Sequence, residues 1–258
     1  MSFFRQHILF KPSKFLPNKA PNLGLWLESD WGVTKDGGNA TNAWLDRSLN
    51  AYNFTQAVGA NQPIWTAGEF GGNAGIIFDG VNDSLEISVS NPFSTTQNFS
   101  FFAVHKSLVN DNDQNYFGMG DLGSSDLFLL AKGDNTNIRT NGVRVATVLT
   151  GTLNEVAGGT SLNDNLAKLI TIESNGSAWS ARLRGVSETL TVVTGGGSNS
   201  GNAPGDFITL DNITIGMFRR SGIGFARSNF AAILFYTSQI SAADRTNVEN
   251  YLINKYAI

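Results

Sequence analysis

Short apolar runs interrupted by turn residues constrain this chain more than any other feature. Residues 168–174 and 178–184 flank Asn175-Gly176. In the second run Trp179, Ala181 and Leu183 alternate with Ser180, Arg182 and Arg184. A period of two sends one set of side chains to a buried face and the other to solvent. Asn-Gly between two such runs predicts a hairpin closed by a type I′ turn, whose central residues both need positive φ. Further strands are expected at 23–27, 76–78, 85–89, 99–104, 207–210, 213–218 and 230–236. Residues 99–104 are nearly apolar on both faces, as a central strand is. Gly37-Gly38-Asn39, Gly71-Gly72-Asn73 and the Gly/Ser/Asn-rich stretch 195–205 read as loops. One helix is expected near the end. Ser241 caps it, Asp244 stands three residues on, and Val248, Tyr251, Leu252 and Tyr256 share one face. No long polar stretch divides the 258 residues, and an all-β sandwich of this length is commonly one domain.

Composition removes several function classes. The chain has no Cys, which excludes disulfide frameworks, thiolate metal sites and a thiol nucleophile. His7 and His105 are the only histidines, too few for a His-rich metal centre. No apolar run approaches the ~18 residues that span a membrane. Charge is uneven. Residues 1–27 hold Arg5, Lys11, Lys14 and Lys19 and no acid. Removing those four from 18 basic residues leaves 14 against 21 acidic, so the rest carries -7. An acidic body lacks the basic stripe that nucleic acid requires.

Residues 1–22 form a segment of their own. Pro12, Pro17 and Pro21 oppose a helix, and Arg5, Gln6 and His7 interrupt the apolar core that a signal peptide needs. Yet Phe3, Phe4, Phe10 and Phe15 are too apolar for a solvated tail. The division is therefore an extended arm over 1–22 and a sandwich over 23–258. Phe3, Phe4, Arg5, Phe10, Lys11, Lys14, Phe15 and Lys19 are the expected anchoring residues, whether the arm packs on its own domain or on another subunit.

Four segments resemble the laminin-G-like domains of the concanavalin A-like lectin/glucanase superfamily. They are Leu25-Trp26-Leu27-Glu28-Ser29-Asp30, Ala43-Trp44-Leu45-Asp46-Arg47-Ser48, Phe78-Asp79-Gly80-Val81-Asn82-Asp83-Ser84-Leu85, and the closing stretch from Ile240 through Tyr256. The resemblance covers roughly residues 23–258. It implies an all-β, two-sheet antiparallel jelly-roll sandwich with a short C-terminal helix. Function follows poorly from it, because this superfamily hosts lectins, glycosidases, lyases, adhesion modules and virion proteins. Glycosidases of this fold carry Glu-x-Asp-x-x-Glu on one strand. The nearest match here, Glu28-Ser29-Asp30-Trp31-Gly32-Val33, has Val33 where the second acid belongs. No lyase or hydrolase motif replaces it, so no catalytic residue is expected.

Sugar binding needs an aromatic platform and amide or carboxylate partners. Trp31, Tyr52, Trp65 and Tyr116 lie in loop-like contexts and are the candidate platforms, while Trp26, Trp44 and Trp179 read as packing. No cofactor is expected. Calcium, on Asp111, Asn112, Asp113 and Asp121 or on Asp79 and Asp83, is the alternative, although Asx turns explain the second pair without a metal. The leading expectation is a non-enzymatic, bacteriophage-type virion protein, on the capsid or tail. It would be made in the host cytoplasm, join other virion subunits through its arm, form a homo-oligomer and face surface polysaccharide with its lectin-like domain. The alternatives are an exported carbohydrate-binding or adhesion module and a polysaccharide-degrading enzyme.

Overall fold

The structure, a computed structural model, describes residues 15–107, 114–133, 141–218 and 224–258. The first strands are β1 (Leu23–Glu28), β2 (Val33–Lys35), β3 (Thr41–Trp44), β4 (Phe54–Thr55), β5 (Ile64–Phe70), β6 (Asn73–Ile77) and β7 (Leu85–Ser88). Next come β8 (Phe99–Ser107), β9 (Gln114–Gly120), β10 (Leu127–Lys132), β11 (Val143–Leu149), β12 (Thr152–Gly158) and β13 (Lys168–Ser174). The last are β14 (Trp179–Leu183), β15 (Val186–Glu188), β16 (Leu190–Val192), β17 (Asn212–Ile215) and β18 (Ser228–Tyr236), followed by helix α1 (Ala242–Tyr256).

These strands make two antiparallel sheets. One runs β15-β14-β13-β8-β18-β6-β5, with β1 also paired to β18. The other runs β16-β12-β11-β10-β9-β17-β7-β4-β3-β2. Their inner faces enclose the main core. Phe99, Phe101 and Phe235 of the first sheet meet Phe117 and Phe128 of the second. Phe235 stacks on Phe93, Phe99 and Phe117 at centroid distances of 4.7, 5.5 and 5.9 Å. Offset aromatic stacking adds to the hydrophobic term of burying rings this large.

The first sheet is covered on its outer face as well. Trp26, Phe102, Val104, Leu234 and Tyr236 pack there against Val248, Tyr251, Leu252 and Tyr256 of α1. The 3.6-residue period selects those helix positions. Ser241 Oγ accepts from Asp244 N at 3.0 Å, the expected cap. Residues 15–20 share this face. Phe15 and Leu16 lie against the same apolar cluster, and Tyr236 OH donates to Pro17 O at 2.9 Å. Lys19 is exposed. Phe3, Phe4, Arg5, Phe10, Lys11 and Lys14 lie outside the described residues.

Turn chemistry departs from the sequence expectation in one place. Ser174 pairs with Trp179, so the 175–178 loop has four residues rather than two. Gly176 has φ of 81°, whereas Asn175 is not among the residues with positive φ. The Asn175 side chain closes the loop instead, accepting from Ser177 N and Ala178 N, each at 2.9 Å. The type I′ pattern occurs elsewhere, at Thr150-Gly151 (φ 49° and 81°) and Arg184-Gly185 (φ 49° and 79°). Each of those joins directly paired strands. Residues 207–210, expected as a strand, follow the short 3-10 turn Pro204–Asp206 without joining a sheet.

A candidate sugar cleft and a closed aromatic-cation face

Four separate chain segments converge on one cleft of about 240 Å³. Asn22, Leu23 and Gly24 enter β1, and Asn50 and Tyr52 come from the β3–β4 loop. Pro92, Phe93, Thr95 and Thr96 come from the β7–β8 loop, and Thr237 follows β18. The floor is fixed by the core. Phe93, stacked on Phe235, also meets Tyr52 edge-on at 5.6 Å. Glycine at 24 keeps the floor low, because a Cβ there would stand 2.8 Å from Thr237 Cγ2 and 3.0 Å from Phe93 Cε1.

The β3–β4 loop is organised by one carboxylate. Asp46 Oδ1 accepts from Trp26 N at 3.0 Å and Ser48 N at 2.8 Å. Its Oδ2 accepts from Ser48 Oγ at 2.7 Å and Tyr52 N at 3.2 Å. Asn50 Nδ2 donates to Gly24 O at 2.9 Å and ties the loop to β1. Leu49 (φ 82°) and Ala51 (φ 60°) hold left-handed backbone, as does Asn22 (φ 62°) on the facing wall. For a side chain without a polar tip such a conformation costs on the order of 1–3 kcal/mol, so the surrounding bonds must impose it. Across the cleft, Phe93 N donates to Asn91 Oδ1 at 2.9 Å and Thr96 N to Phe93 O at 2.8 Å. Thr96 is buried and its Oγ1 has no hydrogen-bond partner.

Trp31 and Trp65 lie elsewhere. Trp31 is 41% exposed, in the turn after β1, with the Arg47 guanidinium 5.6 Å from its ring centroid. Arg47 also covers Trp26 at 4.3 Å and pairs with Glu28 Oε2 at 2.5 Å. Glu28 is fully buried, and its Oε1 accepts from Tyr251 OH at 2.7 Å and pairs with Lys255 Nζ at 2.9 Å. Burial and the Glu28 charge push the Tyr251 phenol above its ordinary value. Trp65 donates from Nε1 to Ser29 O at 2.8 Å, and Lys35 Nζ sits 4.0 Å from its ring centroid. Each indole therefore already carries a cation.

Tyr116 is a correction. It is only 1% exposed, packed on His105 at 4.5 Å and on Phe230 at 5.2 Å, so it cannot present a ring to a ligand. Its loop-like sequence context misled because β9 is buried along its whole length. Of the four expected platforms, Tyr52 alone lines the cleft. The Thr95-Thr96 wall, Asn22 and Asn50 were not anticipated; the threonines after Pro92 were the available signal.

The acidic pairs act as turn formers. Asp79 Oδ1 accepts from Val81 N at 2.8 Å and Asn82 N at 3.2 Å, and Asp83 Oδ2 accepts from Asp79 N at 2.9 Å. Burial, opposed by that bond and aided by the Asp79 charge, raises Asp83 to about 6. Asp121 Oδ1 accepts from Gly123 N at 2.7 Å, while Asp111, Asn112 and Asp113 lie outside the described residues. Among the described residues no cluster of three or more His, Asp or Glu is arranged to hold a metal.

No protein-family model matches this sequence, and no curated protein matches it. Solved structures do. A Trypanosoma rangeli sialidase in complex with 2,3-difluorosialic acid superposes with a TM-score of 0.59 at 14% identity, over 91% of this chain and 33% of that one. The botulinum neurotoxin serotype D ligand binding domain in complex with N-acetylneuraminic acid gives 0.59 at 15% identity, over 92% of this chain and 52% of that one. The present chain thus spans a third to a half of these neighbours. At such identities the likeness shows the β-sandwich fold alone.

Proposed function

We propose that this chain is a non-catalytic, glycan-binding module whose site is the Tyr52 cleft. The observation that carries this is the cleft's composition: one aromatic ring seated on the core, ringed by amides and hydroxyls, with a buried hydroxyl left unpartnered. Concave sites with a few convergent polar groups are where small ligands bind. Structural neighbours in complex with sialic acid or its derivatives support a carbohydrate-binding use of the fold. Against catalysis, the acid of the nearest glycosidase-like match, Glu28, is sealed in a network with Arg47, Tyr251 and Lys255 and has no access to a substrate. Glycan-array binding by the intact chain, lost on Tyr52→Ala, is the expected result. Release of reducing ends from a polysaccharide panel would instead favour the enzyme alternative.

The module's proposed setting is the surface of a virion, mounted through the arm. Support comes from residues 1–22, with four cations, no acid and four phenylalanines, of which Phe15 already lies on the domain's outer face. Because residues 15–20 pack on the sandwich, the informative truncation removes only 1–14. The full chain should associate with itself or with particles, and the truncated chain should remain a folded monomer. Identical monomers would leave the exported-module reading as the better one.

A further inference from the structure

Building on the glycan-binding reading of the same site, we infer that the Tyr52 cleft selects uncharged sugars, despite the sialic acid ligands of its structural neighbours. Among the described residues that line the cleft none carries a formal charge: Asn22, Asn50, Tyr52, Thr95, Thr96 and Thr237 supply its polar groups. An acidic sugar brings a carboxylate that must be desolvated, which is costly unless a cation or several donors receive it.

The cation nearest Tyr52 in sequence is turned away. Arg47 belongs to the same loop as Tyr52, yet its guanidinium pairs with Glu28 at 2.5 Å and lies over Trp26 at 4.3 Å. The formal charge behind the wall has the wrong sign. Asp46 accepts the Tyr52 N–H at 3.2 Å, so a carboxylate stands one hydrogen bond behind the aromatic residue. Like charge there disfavours an acidic ligand, which is discrimination by repulsion.

The groups that do face the cleft match sugar hydroxyls. A hydroxyl gives one proton and accepts through two lone pairs, and threonines do the same. Thr96 lines the cleft, and its buried Oγ1 has no hydrogen-bond partner, so a hydroxyl is left unpaired until a ligand or water satisfies it. A volume of about 240 Å³ falls below the ~300–1,000 Å³ of drug-sized sites and suits one ring or a chain end.

The test is NMR titration of the intact chain with galactose, glucose, N-acetylglucosamine and their disaccharides, beside N-acetylneuraminic acid and sialyllactose. Thr96→Val keeps the side-chain shape and removes only the hydroxyl; Tyr52→Ala is the companion variant. At least one uncharged sugar should bind, with an affinity insensitive to salt. Thr96→Val should weaken it by roughly tenfold while the spectrum stays that of the folded chain. Tighter binding of the sialylated ligands, abolished by Tyr52→Ala, overturns the uncharged class and leaves the lectin reading standing. Binding of an uncharged sugar that neither variant changes overturns the site. No binding of any glycan defeats the lectin reading itself.

Discussion

The Tyr52 cleft and the Trp31–Arg47 face share one loop, residues 46–52, and differ in what their groups have left to give. On the Trp31 side every charge is engaged: Arg47 and Lys255 both bind buried Glu28, and Lys255 also reaches Asp30 at 3.0 Å. On the cleft side the polar groups are neutral and one hydroxyl is unpartnered. By residue type the first looks like the richer site, with two indoles and two cations. By charge accounting it is a finished piece of structure, although the buried Trp26 Nε1 beneath Arg47 has no acceptor. A third region marks the other limit. His105 is fully buried with neither ring nitrogen partnered, yet it is sealed between the sheets beside Tyr116 and Phe230. An unsatisfied group can serve a site only where its residue borders a cleft, as Thr96 does and His105 does not.

The largest test of this comparison is Glu28→Ala. Removing one member of a buried ion pair typically costs about 3–5 kcal/mol, because the remaining charges stay uncompensated. Arg47 retains 32% side-chain exposure and can regain some hydration, so the lower end of that range is expected. Denaturant unfolding should show the loss, while glycan affinity per folded molecule should change by less than twofold. A cost under about 1 kcal/mol would mean that the network holds nothing together. Strong loss of affinity at full folding would join the two regions into one site.

Acid separates the sealed histidine from everything else. Burial, assisted by Lys168 and Lys132 and opposed by Asp164, lowers His105 to about 3. A histidine kept neutral in the fold contributes stability above its unfolded value near 6.5, and that stability is lost as pH falls towards 3. The slope is at most about 1.4 kcal/mol per pH unit, or ~2 kcal/mol between pH 6.5 and 5. Asp83 has the opposite sign. Its folded value of about 6 exceeds the unfolded 3.8, so its ionisation penalises the fold at pH 7 and that penalty disappears between pH 6 and 4. Relative to the unmodified chain, His105→Leu should therefore become more stable on going from pH 7 to pH 5, and Asp83→Asn less stable. Parallel pH profiles for the two variants would show that neither group is buried as described.

How much of this was legible in the sequence depended on alternation and on the length of apolar runs. Strands with one solvated face, such as β14, announce themselves by alternation, and α1 by its cap and apolar stripe. Strands β9 and β10 were missed: both are buried throughout and show no alternation, and neither has the long apolar run that marks the equally buried β18. Phe218 packs on Leu127, Leu129 and Ala131 outside the sheet, so no polar residue is needed at alternate positions. The Thr150-Gly151 and Arg184-Gly185 hairpins were hidden for another reason: glycine meets one positive φ freely, while Thr150 and Arg184 are held in theirs by strand pairing. Tyr52 was visible as an aromatic residue in a polar loop. Its companions were not, because the cleft is assembled from segments spread between Asn22 and Thr237, and only the paired sheets bring them together.

The smallest expected effect is the sharpest test of the opening contrast. Trp31→Ala removes the most exposed tryptophan, at 41%, and one of two rings over Arg47. Trp26 remains closer, at 4.3 Å against 5.6 Å, and the Glu28 pair is untouched. A partly exposed cation–π contact is worth about 0.5–1 kcal/mol, so unfolding should shift by no more than that. Sugar affinity should not move, since Trp31 does not line the cleft. If Trp31→Ala abolishes binding and Thr96→Val does not, the ranking of the two regions is reversed. The exposed indole is then the platform, and the cation beside it becomes the reason to expect an acidic sugar.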